Sequence, residues 1–154
     1  MRKGIDKVLG GILAFLMMLM TVDVLYGVFM RYVLNSQPGW TEEIARFSLM
    51  WIGILGAAYA AGQNNHLSID LISEKLNEQN NRRLGIFINI LVIIFAGGVL
   101  LIGGIRLMYV TSHLGQTSAG LQLPMSLIYS VLPISGFLIV LYKLMDLFAK
   151  PQIT

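Results

Sequence analysis

Apolar residues fall in four long runs along the chain, at approximately 8–34, 44–62, 84–105 and 124–148, with short polar stretches between them. Each run reaches the roughly 20 helical residues needed to cross a hydrocarbon core about 30 Å thick. None alternates apolar and polar positions in the manner of a barrel strand. Backbone groups in lipid must be satisfied within their own segment, so each run is predicted to be a transmembrane helix. The expected fold is an all-α integral membrane protein, one four-helix membrane domain over residues 1–154. A weaker pattern lies in the connection 63–83, where Leu67, Ile69, Ile72 and Leu76 interleave with Ser68, Asp70, Ser73, Glu74 and Lys75. It predicts a short cytoplasmic amphipathic helix lying at the interface, followed by a polar turn.

The other connections are unequal. Asn35-Ser36-Gln37-Pro38-Gly39-Trp40 is short and rich in turn residues, which implies a tight antiparallel hairpin with Trp40 at the outer interface. The stretch 108–123 carries Gly115, Gln116, Thr117, Ser118 and Gly120 and then meets Pro124 at a position suited to starting a helix. The basic start Arg2-Lys3 before an apolar run has the charge order of a signal peptide. The run is longer than a cleavable apolar region and no Ala-x-Ala site follows it, so it is expected to remain as the first span.

Composition agrees: 56% of residues are hydrophobic and 12% charged, about half the usual charged share of a soluble domain. The net charge of +3 comes from 11 basic and 8 acidic residues and carries no clustered basic footprint for nucleic acid. Its distribution is more telling. Arg2, Lys3, Lys7, Lys75, Arg82, Arg83, Lys143 and Lys150 fall on one side of the predicted spans, and Arg31, Arg46 and Arg106 on the other. The positive-inside rule then places both termini in the cytoplasm, in keeping with an even number of spans. Cysteine is absent, which excludes disulfides, thiolate metal sites and a cysteine nucleophile.

Within the spans, Gly53, Ala57 and Ala61 recur every four residues on the second, with Gly56 and Ala60 beside them. Small residues at this spacing let helix backbones approach closely, so the stripe implies a helix partner, ordinarily another span of the same chain. Gly97 and Gly104 form a weaker stripe in the third span, and Pro133 predicts a kink in the fourth, its freed carbonyl met by Ser130 or a neighbour. Asp23, near the middle of the first run, is the intramembrane ionisable residue. It is either a proton or cation site or a hydrogen-bonded side chain that holds helices together, including those of a partner. The second reading is favoured because no other span offers a carboxylate at that depth. At the outer end, Glu42 and Glu43 lie four and three residues before Arg46, spacings suited to same-helix ion pairs, and Arg31 and Arg106 end neighbouring spans. With Trp40 these charges form either a site for an anion or a periplasmic protein, or an ordinary belt facing lipid headgroups.

No catalytic or cofactor constellation can be assembled. His66 and His113 fall in connections on opposite sides, so they cannot share a buried haem, and no metal cluster, nucleophile triad or phosphate-cradling loop is present in the sequence. The chain is not expected to be an enzyme, and it requires no cofactor.

The ordered features resemble those of a known family, the small membrane subunit, or DctQ-like subunit, of tripartite ATP-independent periplasmic (TRAP) transporters. The likeness is carried by Phe29-Met30-Arg31-Tyr32-Val33, Trp40-Thr41-Glu42-Glu43-Ile44-Ala45-Arg46, Gly56-Ala57-Ala58, His66-Leu67-Ser68-Ile69-Asp70, and Leu123-Pro124 with Tyr129 and Pro133. It covers nearly the whole chain. The resemblance implies a scaffold in the bacterial inner membrane, surrounded by lipid and packed beside a much larger subunit that carries the substrate and sodium sites. It also implies a periplasmic substrate-binding protein that captures an organic-acid anion such as a dicarboxylate or sialic acid. On that reading, Gly53, Gly56, Ala57, Ala60 and Ala61 pack on the large subunit, and Arg31, Trp40, Glu42, Glu43, Arg46 and Arg106 form the periplasmic charge cluster. Two other classes remain open: a self-contained proton-coupled antiporter of the small multidrug-resistance type, similar in span number alone, and the membrane anchor of an enzyme complex.

Overall fold

A computed structural model of the protein describes residues 2–36, 38–63 and 78–148. The predicted amphipathic helix at 67–76 and His66 lie outside the described residues. The described residues form helices α1 (Arg2–Val33), α2 (Gly39–Gly62), α3 (Glu78–Phe95), a π-helical segment (Ala96–Gly103), α4 (Gly104–His113), α5 (Met125–Ile128) and α6 (Val131–Phe148). Four stretches are long and apolar enough to cross a membrane: Arg2–Val33, Gly39–Gly62, Arg83–His113 and Met125–Leu147. The chain is therefore an all-α protein with four candidate membrane spans.

The boundaries depart from the hydropathy pattern where polar residues are drawn into helices. The first helix begins at Arg2, six residues before the apolar run, because Arg2 and Asp6 find partners on other helices. The third span continues past Arg106 to His113, since Leu107–Val110 stay apolar and the Thr111 hydroxyl donates back to the Leu107 carbonyl at 2.8 Å. His113 thus ends a helix and does not lie in a connection. Gly115, with φ of +60°, stops α4: the amide of Gly115 donates to the Ser112 carbonyl and that of Gln116 to Thr111, both at 3.1 Å. A left-handed residue there favours glycine.

Pro133 does not kink a continuous helix. The fourth span is broken at Tyr129–Ser130, and Pro133 occupies the first turn of α6, where an amide has no intrahelical partner to lose. The Tyr129 carbonyl accepts from the Leu132 amide at 3.1 Å, and Ser130 Oγ donates to the Leu127 carbonyl at 2.6 Å.

Packing runs from helix to helix. The main contacts join α1 to α2, α2 to α6, and α6 to the third span through α3 and the π-helical segment. The buried apolar core is small: Leu9, Leu55, Ala58, Ala96, Val131 and Ile139. Close backbone approach supplies much of the fit between the third and fourth spans. A Cβ on Gly136 would lie 2.9 Å from Leu100 Cβ and from the Leu101 amide, and one on Gly104 would lie 2.8 Å from Leu132 and Pro133. Trp51 Nε1 adds a hydrogen bond to the Ile128 carbonyl at 3.0 Å, tying α2 to α5. Interhelical hydrogen bonds in membranes contribute on average about 0.6 kcal/mol, so packing of small residues carries more of the association.

Candidate functional site

Three regions hold the chemistry of the chain. Near the N-terminal end of α2, Arg46 donates to Glu42 at 2.7 Å, one turn apart, with both side chains about two-thirds exposed. A pair so exposed contributes about 0–1 kcal/mol. Glu43, equally well spaced for Arg46, turns elsewhere: its two oxygens accept from the amides of Gly120 and Leu121 at 2.8 and 2.9 Å. These amides belong to the connection before α5, which is itself folded by Ser118 N to Leu123 O and Met125 N to Gln116 O, each 2.9 Å. Glu43 is thus the clamp that holds this connection onto α2. Beneath it lies an open groove of about 550 Å³, between Arg46, Phe47 and Met50 of α2 and Thr117, Ser118 and Tyr129 opposite.

The remaining members of the predicted charge cluster divide. Trp40 is half-exposed and stacks on Tyr26, with ring centroids 5.7 Å apart. Arg31 lines a second groove with Glu42. Arg106 is exposed on the third span, two turns before the end of its helix, and lines neither of these two grooves.

The second region surrounds Asp23. Its level follows from the register of α1 on α2: Arg2 Nε donates to the Gly62 carbonyl at 3.0 Å, Gly10 faces the Tyr59 ring, and Tyr26 meets Trp40. Asp23 shares a groove of about 260 Å³ with Gly27, Arg31, Thr41, Glu42 and Ala45. It therefore stands beside the first two turns of α2. On α1 it lies ten residues before Val33, about 15 Å at 1.5 Å per residue.

The third region is the stripe on α2. Gly53, Ala57 and Ala60 are exposed, Gly56 and Ala61 are intermediate, and a Cβ on Gly53 or Gly56 would meet nothing within 4 Å. Contacts inside the chain use a different line of the same helix, Leu55, Ala58 and Gly62, with Ala61 packed beside them. Among the described residues, a same-chain partner is thus observed for Ala61 and not for Gly53, Ala57 or Ala60.

Sequence reasoning missed the cluster that joins the other ends of these helices. Arg2 reaches the Gly62 carbonyl and Asp146 Oδ1, the latter at 2.9 Å, and lies 5.8 Å from the Tyr142 ring centroid. The buried Tyr142 hydroxyl donates to Asp6 at 2.6 Å, and Lys143 pairs with Asp146 at 3.5 Å. A Cβ on Gly62 would sit 2.6 Å from the Tyr142 ring. The available signal was acids and bases at the flanks of apolar runs, but their pairing depends on helix order. Among the described residues, no group of His, Asp or Glu is arranged to hold a metal.

Comparison with known proteins supplies the class of molecule in which these surfaces work. A family model described as "Tripartite ATP-independent periplasmic transporters, DctQ component" matches residues 12–150. A TRAP transporter small permease protein of Haemophilus influenzae is 36% identical over 72 residues, 47% of this chain and 45% of that protein. The sialic acid TRAP transporter small permease protein SiaQ of Vibrio cholerae is 32% identical over 73 residues, 47% of this chain and 42% of that protein. The isethionate TRAP transporter permease protein DctMQ of Oleidesulfovibrio alaskensis is 32% identical over 114 residues, 74% of this chain and 18% of that much longer protein. The chain spans less than half the length of the two small permease relatives. With most of its residues covered by the family match and its four apolar helices in place, the chain belongs to the DctQ component family of tripartite ATP-independent periplasmic transporters.

Proposed function

We propose that this chain is the small, non-enzymatic scaffold subunit of a sodium-coupled secondary transporter that imports an organic-acid anion. It works in the bacterial inner membrane, with both termini in the cytoplasm, alongside a large permease subunit and a periplasmic substrate-binding protein. The observation that carries the reading is the divided use of α2: Ala58 and Gly62 are spent on contacts within the chain, whereas Gly53, Ala57 and Ala60 present small side chains outward. A face of this kind suits a neighbouring transmembrane helix more than lipid, because it gains from close backbone approach. The large subunit is the proposed neighbour, through Gly53, Gly56, Ala57 and Ala60. The exposed Glu42–Arg46 pair and Arg31 are the proposed contacts of the periplasmic protein, with Glu43 acting indirectly by fixing the adjoining connection. The relatives' names specify sialic acid in one case and isethionate in another, so they assign no single anion to this chain.

Affinity purification of the tagged chain from its native membranes tests this reading. A large multi-span permease should copurify, and Gly53→Leu should lower its recovery while leaving the variant inserted. Recovery of redox or hydrolytic subunits, or substrate flux by the chain reconstituted alone, would overturn it.

A further inference from the structure

Asp23 is only 8% exposed, and its Oδ2 is the one buried side-chain oxygen or nitrogen without a hydrogen-bond partner among the described residues. Other buried hydroxyls nearby and elsewhere are committed: Thr41 Oγ1 donates to the Pro38 carbonyl at 2.8 Å, Thr111 to Leu107 at 2.8 Å and Ser135 to Leu132 at 3.0 Å. Buried polar groups are ordinarily bonded, and leaving one unmade is costly. Among the described residues, no side chain of the groove, Arg31 and Tyr32 included, is bonded to Asp23 Oδ2. Thr41 has already spent its proton, Glu42 is paired with Arg46, and Arg31 lines the groove without approaching Asp23 as an ion pair.

The space has the size of a long side chain. At about 260 Å³ it exceeds the roughly 30 Å³ share of one water several-fold, and it is open to the side. Its walls include Val24 and Val28, 42% and 49% exposed, an apolar rim suited to a membrane helix and not to a soluble protein. A phospholipid headgroup fits poorly. Asp23 lies eight residues, about 12 Å, further from the outer end of α1 than Arg31. A lipid that set its phosphate on Arg31 would bring only glycerol esters and acyl carbon, which offer no proton donor, to the level of Asp23.

We infer that the α1–α2 groove seats a Lys or Arg side chain carried by a transmembrane helix of the large subunit, with Asp23 as its buried acceptor. This rests on the small-subunit reading above and adds a second, charged contact to the small-residue face of α2. A carboxylate that meets a basic group across two helices fixes their relative depth as well as their contact, which a stripe of small residues alone does not.

The test compares Asp23→Leu and Asp23→Asn with wild type, both as the isolated chain in detergent and coexpressed with the large permease. Because Asp23 Oδ2 has no partner among the described residues, the isolated Leu variant should melt at or above the wild-type temperature. Recovery of the large subunit should fall about tenfold or more with either variant, the scale of one charge-assisted hydrogen bond. A cysteine at Val28, on the exposed rim of the groove, should crosslink to one helix of the large subunit. Reversing a basic residue on that helix to Glu, together with Asp23→Lys, should restore assembly. Wild-type recovery with Asp23→Leu or Asp23→Asn would overturn the inference, as would a lower melting temperature of the isolated Leu chain. So would loss of sodium dependence in a fully assembled Asp23→Asn complex, which would make Asp23 part of coupling. If the wild-type chain retains no large permease, the small-subunit reading itself fails and this inference falls with it.

Discussion

Glu42 and Glu43 are neighbours on one helical turn, yet their carboxylates act at different ranges. Glu42 pairs with Arg46 in the open, while Glu43 reaches two backbone amides 77 and 78 residues away in sequence. An ionised carboxylate is an acceptor only, and two convergent amides match its two oxygens. Removing it frees a whole connection, whereas removing Glu42 loses one exposed pair. Glu43→Ala should therefore accelerate amide hydrogen exchange at Gly120 and Leu121 several-fold, with no comparable change in Glu42→Ala. Equal protection in wild type and Glu43→Ala would show that the connection holds itself. Docking of a periplasmic protein is better probed with Arg46→Glu than at Glu43, whose loss disturbs the connection as well as the surface charge. The i,i+3 spacing to Arg46 made an ion pair of Glu43 legible in the sequence; its actual partners carry no side-chain signal, because any residue supplies a backbone amide.

Element by element, the four spans were readable because an apolar run of about 20 residues has few alternatives in structure. The starts of the first three and the end of the third were not; Arg2 and Asp6, for instance, join α1 through partners on α2 and α6 that hydropathy does not register. The π-helical segment Ala96–Gly103 was equally hidden. It contains Gly97, Gly98 and Gly103, so side chains constrain its winding little, and it packs where Gly136 admits Leu100 and Leu101 at close range. The glycines that matter can be separated by experiment. Gly136→Ala should lower the stability of the isolated chain by about 1–3 kcal/mol, the usual cost of overpacking, because Leu100 and the Leu101 backbone stand in the way. Gly53→Ala has open space and should be close to neutral in the same thermal unfolding measurement. A neutral Gly136→Ala would mean that the third and fourth spans have slack at this crossing.

At the scale of the whole molecule, the order in which helices sit beside one another was not legible, and it decides which charges meet. Arg31 and Arg106 resemble one another in sequence, each near the end of an apolar run, but the first joins the α1–α2 groove and the second lies exposed on the third span, lining neither groove described. Topology can be checked directly. Cysteines at Gln116 and Asn35 should react with an impermeant reagent from the periplasm and one at Lys3 only after the cytoplasm is opened, as the distribution of basic residues requires. Labelling of Lys3→Cys from outside would invert the proposed orientation. The length of α1 also bears on the solvent around it. Its 32 residues make a rod of about 48 Å, against about 36 Å for the 24 residues of α2 and about 30 Å for the hydrocarbon core. Standing upright, α1 would be mismatched to the bilayer; leaning, it would carry Val24–Val33 away from the axis of α2 and under the acyl chains. Bilayer thickness thereby becomes a control on the angle between α1 and α2, and a thinner membrane should favour the more splayed arrangement.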